Sequence, residues 1–182
     1  MKIINRKRKL ALLFPGQGNQ KPGMALNLVR CYPEAAYILR EFSKVLNRDM
    51  EELLCGDKIF NDTRSVHLAM TAYAVISFEW MKKERNVDPA ILTGHSLGEI
   101  CALICSGAVS VEDGLKMADA RGKFLSWACD QNPGGMVAFS SWPKDQMIDE
   151  INKWIGSASA QNKIWIVNVN GPRQVVAAGN KD

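Results

Sequence analysis

Ser96 lies at the centre of the segment Gly94-His95-Ser96-Leu97-Gly98, which matches the GxSxG pattern of serine nucleophiles. In this pattern a strand turns abruptly into a helix, and glycines on either side tolerate the crowding. A serine at such a turn precedes a helix N-terminus, where backbone N–H groups and the dipole can stabilise an oxyanion. The alternative is a helix-capping serine between two turn glycines. We interpret Ser96 as a catalytic nucleophile.

A serine nucleophile needs an activating base, and the chain contains two histidines. His95 adjoins Ser96 and is expected to point away from it on so tight a turn. His67 lies in a helical pattern, where a half-buried helix residue is the expected role rather than a base. The sequence therefore shows a nucleophile without an evident activating group.

Two short apolar runs, residues 9–14 and 89–93, predict buried parallel strands on either side of a helical region. The first run is followed by Gly16-Gln17-Gly18. Because ligands of α/β sheets bind just past the strand ends, Gln17 is a candidate site residue, although a turn without function fits equally well. Apolar periodicity predicts helices over four ranges: 33–47, 65–84, 97–106 and 111–129.

The composition changes at Asn132-Pro133-Gly134-Gly135, which is the best candidate for a domain boundary. Beyond it the patterns predict a strand, a helix and two further strands. These are four of the six elements of a split βαβ unit. We therefore assign residues 1–131 to one domain and residues 135–182 to a second, truncated one.

Composition excludes several other classes of protein. The 182 residues are 47% hydrophobic and 23% charged, which is typical of a soluble globular protein, and no apolar run is long enough to span a bilayer. The basic N-terminus precedes an apolar run too short for a signal peptide. Five cysteines without a CxxC pair indicate reduced thiols in a cytoplasmic protein. The net charge of +4 is no nucleic-acid signature, and no Cys/His set has metal-ligand spacing.

Three motifs in order resemble the acyltransferase family, which includes the malonyl-CoA:acyl-carrier-protein transacylases and the acyltransferases of polyketide synthases. They are Phe14-Pro15-Gly16-Gln17-Gly18-Asn19-Gln20, Gly94-His95-Ser96-Leu97-Gly98-Glu99 and Arg121-Gly122-Lys123-Phe124. Residues 168–176 also resemble the family's small subdomain. The resemblance implies an α/β fold: an incomplete α/β-hydrolase-like parallel sheet followed by a partial ferredoxin-like small subdomain.

The resemblance also assigns roles to four residues. Ser96 is the acylated nucleophile, and Gln17 and Leu97 offer backbone N–H groups to the oxyanion. Arg121 binds the free carboxylate of a malonyl group, a role that suits a planar guanidinium. The implied reaction moves malonyl from CoA to the phosphopantetheine thiol of an acyl carrier protein, with no metal or redox cofactor and no nucleic-acid or membrane partner.

The sequence departs from the family in two places. The family's catalytic histidine lies beyond the small subdomain, so a missing C-terminal segment or a second chain is expected to supply it. Family members usually carry Gln-Pro where this chain has Val66-His67, which puts the acyl specificity in doubt. Two alternatives therefore stay open: an acyl-thioester hydrolase of the same family, and a non-catalytic fragment that binds a carrier protein.

Overall fold

The computed structural model describes residues 9–56, 62–140, 142–157 and 164–180. It divides into two compact units, one ending at Ser126 and the other starting at Trp127. The sequence places the domain boundary a few residues later, at Asn132–Gly135. The boundary between the two compact units falls inside a helix, and the last residues of this helix belong to the second unit.

The first unit contains two strands and most of the helices. Its elements are β1 (Ala11–Phe14), α1 (Leu26–Cys31), α2 (Pro33–Leu46), α3 (Met50–Cys55), α4 (Thr63–Arg85), β2 (Ile91–Gly94), α5 (Leu97–Cys105) and α6 (Val111–Gln131, to Ser126 in this unit). Strands β1 and β2 pair in parallel, from Ala11 opposite Ile91 to Phe14 opposite Gly94. The parallel pairing predicted from the two apolar runs is confirmed. The predicted burial is wrong, because Phe14 is the only buried residue of the two strands.

Two short helices, α1 and α3, were not predicted. Each has six residues, too few to show a helical period. Helix α3 nevertheless carries a local signal, because the Asp49 side chain accepts a hydrogen bond from the Glu52 N–H at 2.9 Å. This is the interaction of an N-cap residue with the third helical position.

Helix α4 is the central helix of the first unit, and capping residues define both of its ends. The Asp62 side chain accepts from the Ser65 N–H at 2.7 Å, and Asn86 ends the helix in the left-handed conformation with φ 48°. All eight residues from Ser65 to Ala72 are buried, so this part of the helix is enclosed on every side. Its core partners come from α2, α3, α5 and α6, among them Leu39, Leu54, Leu97 and Leu115.

The second unit is a three-stranded antiparallel sheet with one helix. Its elements are β3 (Gly134–Ser140), α7 (Lys144–Ser157), β4 (Ile164–Gly171) and β5 (Gln174–Asn180), and the strand order is β3-β5-β4. Met147 and Ile151 of α7 pack on Val175 and Ala177 of β5. The predicted order of strand, helix, strand and strand is confirmed.

Candidate active site

Ser96 lies at an abrupt junction between strand and helix. Strand β2 ends at Gly94 and helix α5 begins at Leu97, which is the context that the GxSxG pattern predicts. Ser96 has φ 56° and ψ −112°, a conformation that is strained for a residue with a side chain. Its side chain is exposed. The strained turn places the Ser96 hydroxyl just beyond the C-terminal end of β2.

The two glycines of the pattern permit close backbone packing around this turn. A Cβ on Gly94 would overlap the backbone of Gly98, and a Cβ on Gly98 would overlap the carbonyl group of Phe14. The His95 N–H also donates to the Phe14 carbonyl at 3.1 Å. The turn is therefore pressed against the end of β1, and no side chain fits between them.

The loop after β1 lies beside Ser96. A Cβ on Gly16 would stand 3.5 Å from the Ser96 Cβ, so the loop backbone passes next to Ser96. Gln17, the following residue, is exposed. In the first turn of α5, the Gly98 and Glu99 N–H groups donate to the carbonyls of His95 and Ser96, while the Leu97 N–H precedes both. Gln17 and Leu97 adjoin Gly16 and Ser96 in the chain, and the role of their backbone N–H groups in an oxyanion hole stays a prediction.

Arg121 reaches Ser96 from helix α6. Its Nη2 donates to the Ser96 Oγ over 2.8 Å, and its Nη1 lies 3.1 Å from the Nε2 of His67 on α4. The guanidinium thus connects the Ser96 hydroxyl to the buried His67 side chain. Three residues that are distant in sequence, His67, Ser96 and Arg121, meet at one point.

Helix α6 is held against α4 next to this point. A Cβ on Gly122 would stand 2.6 Å from the Cα of Arg64, so the two helix backbones approach closely there. Arg64 also forms a bidentate pair with Asp119, which accepts from Lys123 at 2.7 Å as well. These two cations hold the pKa of Asp119 below its ordinary value, despite the opposing effect of burial. The ion pairs and the close approach fix the position of Arg121.

His67 is the site residue that the sequence did not assign to the site. The expectation was a half-buried helix residue, whereas the structure buries it completely. Burial and the neighbouring Arg121 charge lower its pKa from 6.5 to about 4, although the Ala118 carbonyl acts in the opposite direction. A histidine with so low a pKa is neutral at pH 7 and a weak base. Two signals were available in the sequence: a polar residue inside the apolar run of α4, and the departure of Val66-His67 from the Gln-Pro that resembling family members carry.

Other chemistries find little support near this site. The thiols of Cys101 and Cys105 lie on α5, and burial raises their pKa values to about 11 and about 12, so both are protonated at neutral pH. Across the described ranges, no three His, Cys, Asp or Glu side chains are arranged to hold a metal ion. Within the same ranges, every helix is too short or too polar to cross a bilayer.

The sequence profile described as the acyl transferase domain matches residues 11–182. The malonyl CoA-acyl carrier protein transacylase of Haemophilus influenzae is 32% identical over 177 residues, which cover 96% of this chain and 55% of that protein. The chain therefore spans about half the length of the curated relatives it matches.

Solved structures agree with the sequence comparison. FabD from Acinetobacter baumannii superposes with a TM-score of 0.85 at 28% identity, over 95% of this chain and 55% of that one. A type II PKS malonyl-transacylase in complex with its acyl-carrier protein superposes with a TM-score of 0.81 at 29% identity, over 96% of this chain and 56% of that one. The predicted fold, a partial α/β acyltransferase with a short parallel sheet and a partial small subdomain, is confirmed. The chain belongs to the acyl transferase domain family.

Proposed function

We propose that this chain carries the nucleophile and the acyl-recognition group of a malonyl-CoA:acyl-carrier-protein transacylase. The observation that carries this proposal is the 2.8 Å contact between Arg121 Nη2 and Ser96 Oγ at a strained strand–helix turn. A permanent cation beside a serine nucleophile suits an acyl group that bears its own negative charge. Malonyl is such a group, and a malonyl-transacylase superposes on this chain with a TM-score of 0.81.

In the first half-reaction, the Ser96 hydroxyl attacks the thioester carbonyl carbon of malonyl-CoA. The carbonyl oxygen becomes an oxyanion, which the Gln17 and Leu97 backbone N–H groups stabilise. A base removes the hydroxyl proton, the carbon–sulfur bond breaks, and CoA leaves as the thiol after it receives a proton. The malonyl carboxylate carbon then lies three bonds from Oγ, within reach of the Arg121 guanidinium for a bidentate pair.

In the second half-reaction, the phosphopantetheine thiol of an acyl carrier protein attacks the Ser96 ester. The ester bond breaks, Ser96 recovers its proton, and malonyl leaves on the carrier thiol in a ping-pong sequence. The chemistry exchanges an acyl group between sulfur and oxygen and requires neither a metal nor a redox cofactor. We place the reaction in the cytoplasm, in fatty-acid or polyketide synthesis.

A further segment or a second polypeptide supplies the base in this scheme. His67 is engaged with Arg121 and has a pKa of about 4, which makes it unsuitable. Two features support an additional segment: Leu13 and Ile91 of the two-stranded sheet are 74% and 57% exposed, and a mostly apolar groove of about 550 Å³ lies beside β1. A buried parallel sheet normally has both faces covered.

The test is the intact mass of the protein after incubation with malonyl-CoA, for the chain alone and for the chain extended to the length of its relatives. We expect a malonyl adduct on the extended protein that is absent from Ser96→Ala. The Arg121→Ala variant should lose malonyl labelling and keep or gain acetyl labelling. Arg85→Ala, which removes an arginine that stacks on Trp80 far along α4, is the matched control and should label normally.

Adding phosphopantetheinylated carrier protein to the labelled enzyme separates the remaining alternatives. Transfer of malonyl to the carrier supports the proposal. Loss of the label at the same rate without carrier would indicate an acyl-thioester hydrolase. A folded extended protein that binds carrier but never acquires a label on Ser96 would indicate a non-catalytic binding role.

A further inference from the structure

We propose that His67 is a positioning residue that orients the Arg121 guanidinium toward an acyl group on Ser96, and so contributes to the preference for carboxylate-bearing acyl groups. This inference rests on the proposed function of the Ser96 site. Its direct observation is the pair of contacts at opposite nitrogens of one guanidinium: Nη1 to His67 Nε2 at 3.1 Å and Nη2 to Ser96 Oγ at 2.8 Å.

The chemistry of the pair fixes the protonation state of His67. An arginine side chain carries only donors, so His67 Nε2 must accept the hydrogen bond. The ring is therefore neutral, with its proton on Nδ1. A doubly protonated ring would present a second donor and a second positive charge to Arg121. The contact holds Arg121 only while His67 stays neutral.

The surroundings of the ring favour this neutral state. His67 is fully buried between α4 and α6, and the burial, together with the charge of Arg121, depresses its pKa. The other charged side chains nearby on these two helices, Arg64, Asp119 and Lys123, are paired with one another. Arg121 is thus the charged group in direct contact with the ring.

Stability alone does not account for a histidine at this position. The buried Nδ1 makes no hydrogen bond of ordinary geometry among the residues that the structure describes, and only the Ala118 carbonyl opposes the fall in the pKa of the ring. A buried polar group with an unmet hydrogen bond costs stability, whereas an aliphatic side chain would fill the same volume without that cost. What the histidine adds is an acceptor directed at the guanidinium that faces the nucleophile.

The acceptor restricts the guanidinium to one orientation. An arginine side chain has many rotamers, and fixing it before the ligand arrives reduces the entropy lost on binding. The benefit applies only to acyl groups that the guanidinium contacts. His67 should therefore affect the binding of malonyl-CoA and leave the binding of acetyl-CoA unchanged.

The experiment measures dissociation constants of malonyl-CoA and acetyl-CoA by calorimetry for four proteins: wild type, His67→Leu, His67→Gln and Thr71→Val. His67→Leu removes the acceptor at similar volume and should weaken malonyl-CoA binding about tenfold without affecting acetyl-CoA. His67→Gln retains a neutral acceptor and should restore malonyl-CoA binding to within about threefold of wild type. Thr71→Val changes another buried polar residue of α4, one turn further on, and should change neither constant.

A second measurement does not depend on the proposed function. Imidazole ¹⁵N chemical shifts should show His67 as the neutral tautomer protonated at Nδ1 from pH 5.5 to pH 8, with Nε2 shifting in Arg121→Ala. An Nε2-protonated ring, or a titration near pH 6.5, would overturn the inference. Equal weakening of both thioesters in His67→Leu, or no rescue by glutamine, would overturn it as well. If the wild-type protein binds neither thioester but shows the expected tautomer, the proposed function is contradicted. The hydrogen bond between His67 and Arg121 would still be supported by that tautomer.

Discussion

The glycines that surround Ser96 in the first unit and two glycines of the second unit, Gly135 and Gly156, meet different surroundings. In the first unit, Gly98 packs on the carbonyl group of Phe14 and Gly122 packs on the Cα of Arg64. In the second unit, a side chain on Gly135 or Gly156 would meet no atom within 4 Å. The missing Cβ atoms in the first unit let a strand, a turn and three helices converge at Ser96. The second unit forms its sheet and helix by regular pairing and does not depend on the glycines at these two positions.

The largest effect should follow from adding a side chain at Gly98, where the backbone of β1 approaches closely. Gly98→Ala places a methyl group into the Phe14 backbone, which must move together with the Ser96 turn. We expect a loss of unfolding free energy of about 3 kcal/mol or more. Denaturant unfolding measures this loss, and the same variant should lose Ser96 labelling. Gly135→Ala in β3 is the control from the second unit. A Gly98→Ala protein with unchanged stability would contradict the packing described for the turn.

A smaller effect concerns pH. Among the described residues, His67 is the one fully buried side chain of a histidine, acid, lysine or arginine, and it lies in the first unit. Because its folded pKa of about 4 is below its ordinary 6.5, the unfolded chain binds more protons between these values, and stability falls as pH is lowered through this window. From pH 7 to pH 5 the loss attributable to His67 is about 2 kcal/mol.

His67→Gln provides the control for the pH effect. The depressed pKa values of Asp62 and Asp119 belong to carboxyls with an ordinary value of 3.8, so both groups stay charged at pH 5 and contribute little to the difference. Unfolding free energies of wild type and His67→Gln should therefore diverge in their pH dependence by about 2 kcal/mol between pH 7 and pH 5. Parallel curves for the two proteins would show that the pKa of His67 is not depressed in the folded state.

The smallest effect compares two helical glycines. Gly156→Ala in α7 has open space around it and should stabilise the protein by about 0.5 kcal/mol, because alanine has the higher helix propensity. Gly122→Ala in α6 gains the same propensity but presses on Arg64, and should be destabilising by about 1–2 kcal/mol. Thermal unfolding of both variants decides the sign. If Gly122→Ala is stabilising, α4 and α6 can accommodate a methyl group between them.

Much of the fold could be predicted from local patterns. The strands at β1 and β2, the long helices α4 and α6, and the strand–helix–strand–strand order of the second unit all follow from apolar periodicity and turn residues. Helices α1 and α3 could not be predicted in this way, because six residues are too few to show a period. Capping at Asp49 was a usable signal for α3.

The sequence by itself determined the strand–turn–helix segment that carries Ser96, because Gly94, Ser96 and Gly98 are neighbours and the strained turn follows from local geometry. It also identified Arg121, through a motif that resembles the family. Only the tertiary structure decided that Arg121 contacts Ser96 and that His67 lies behind it. Those contacts join residues 25 and 54 positions apart, and they depend on how closely α4 and α6 approach at Gly122. Helical periodicity shows which residues of a helix are apolar, but which polar residue of one helix meets which residue of another is set by packing.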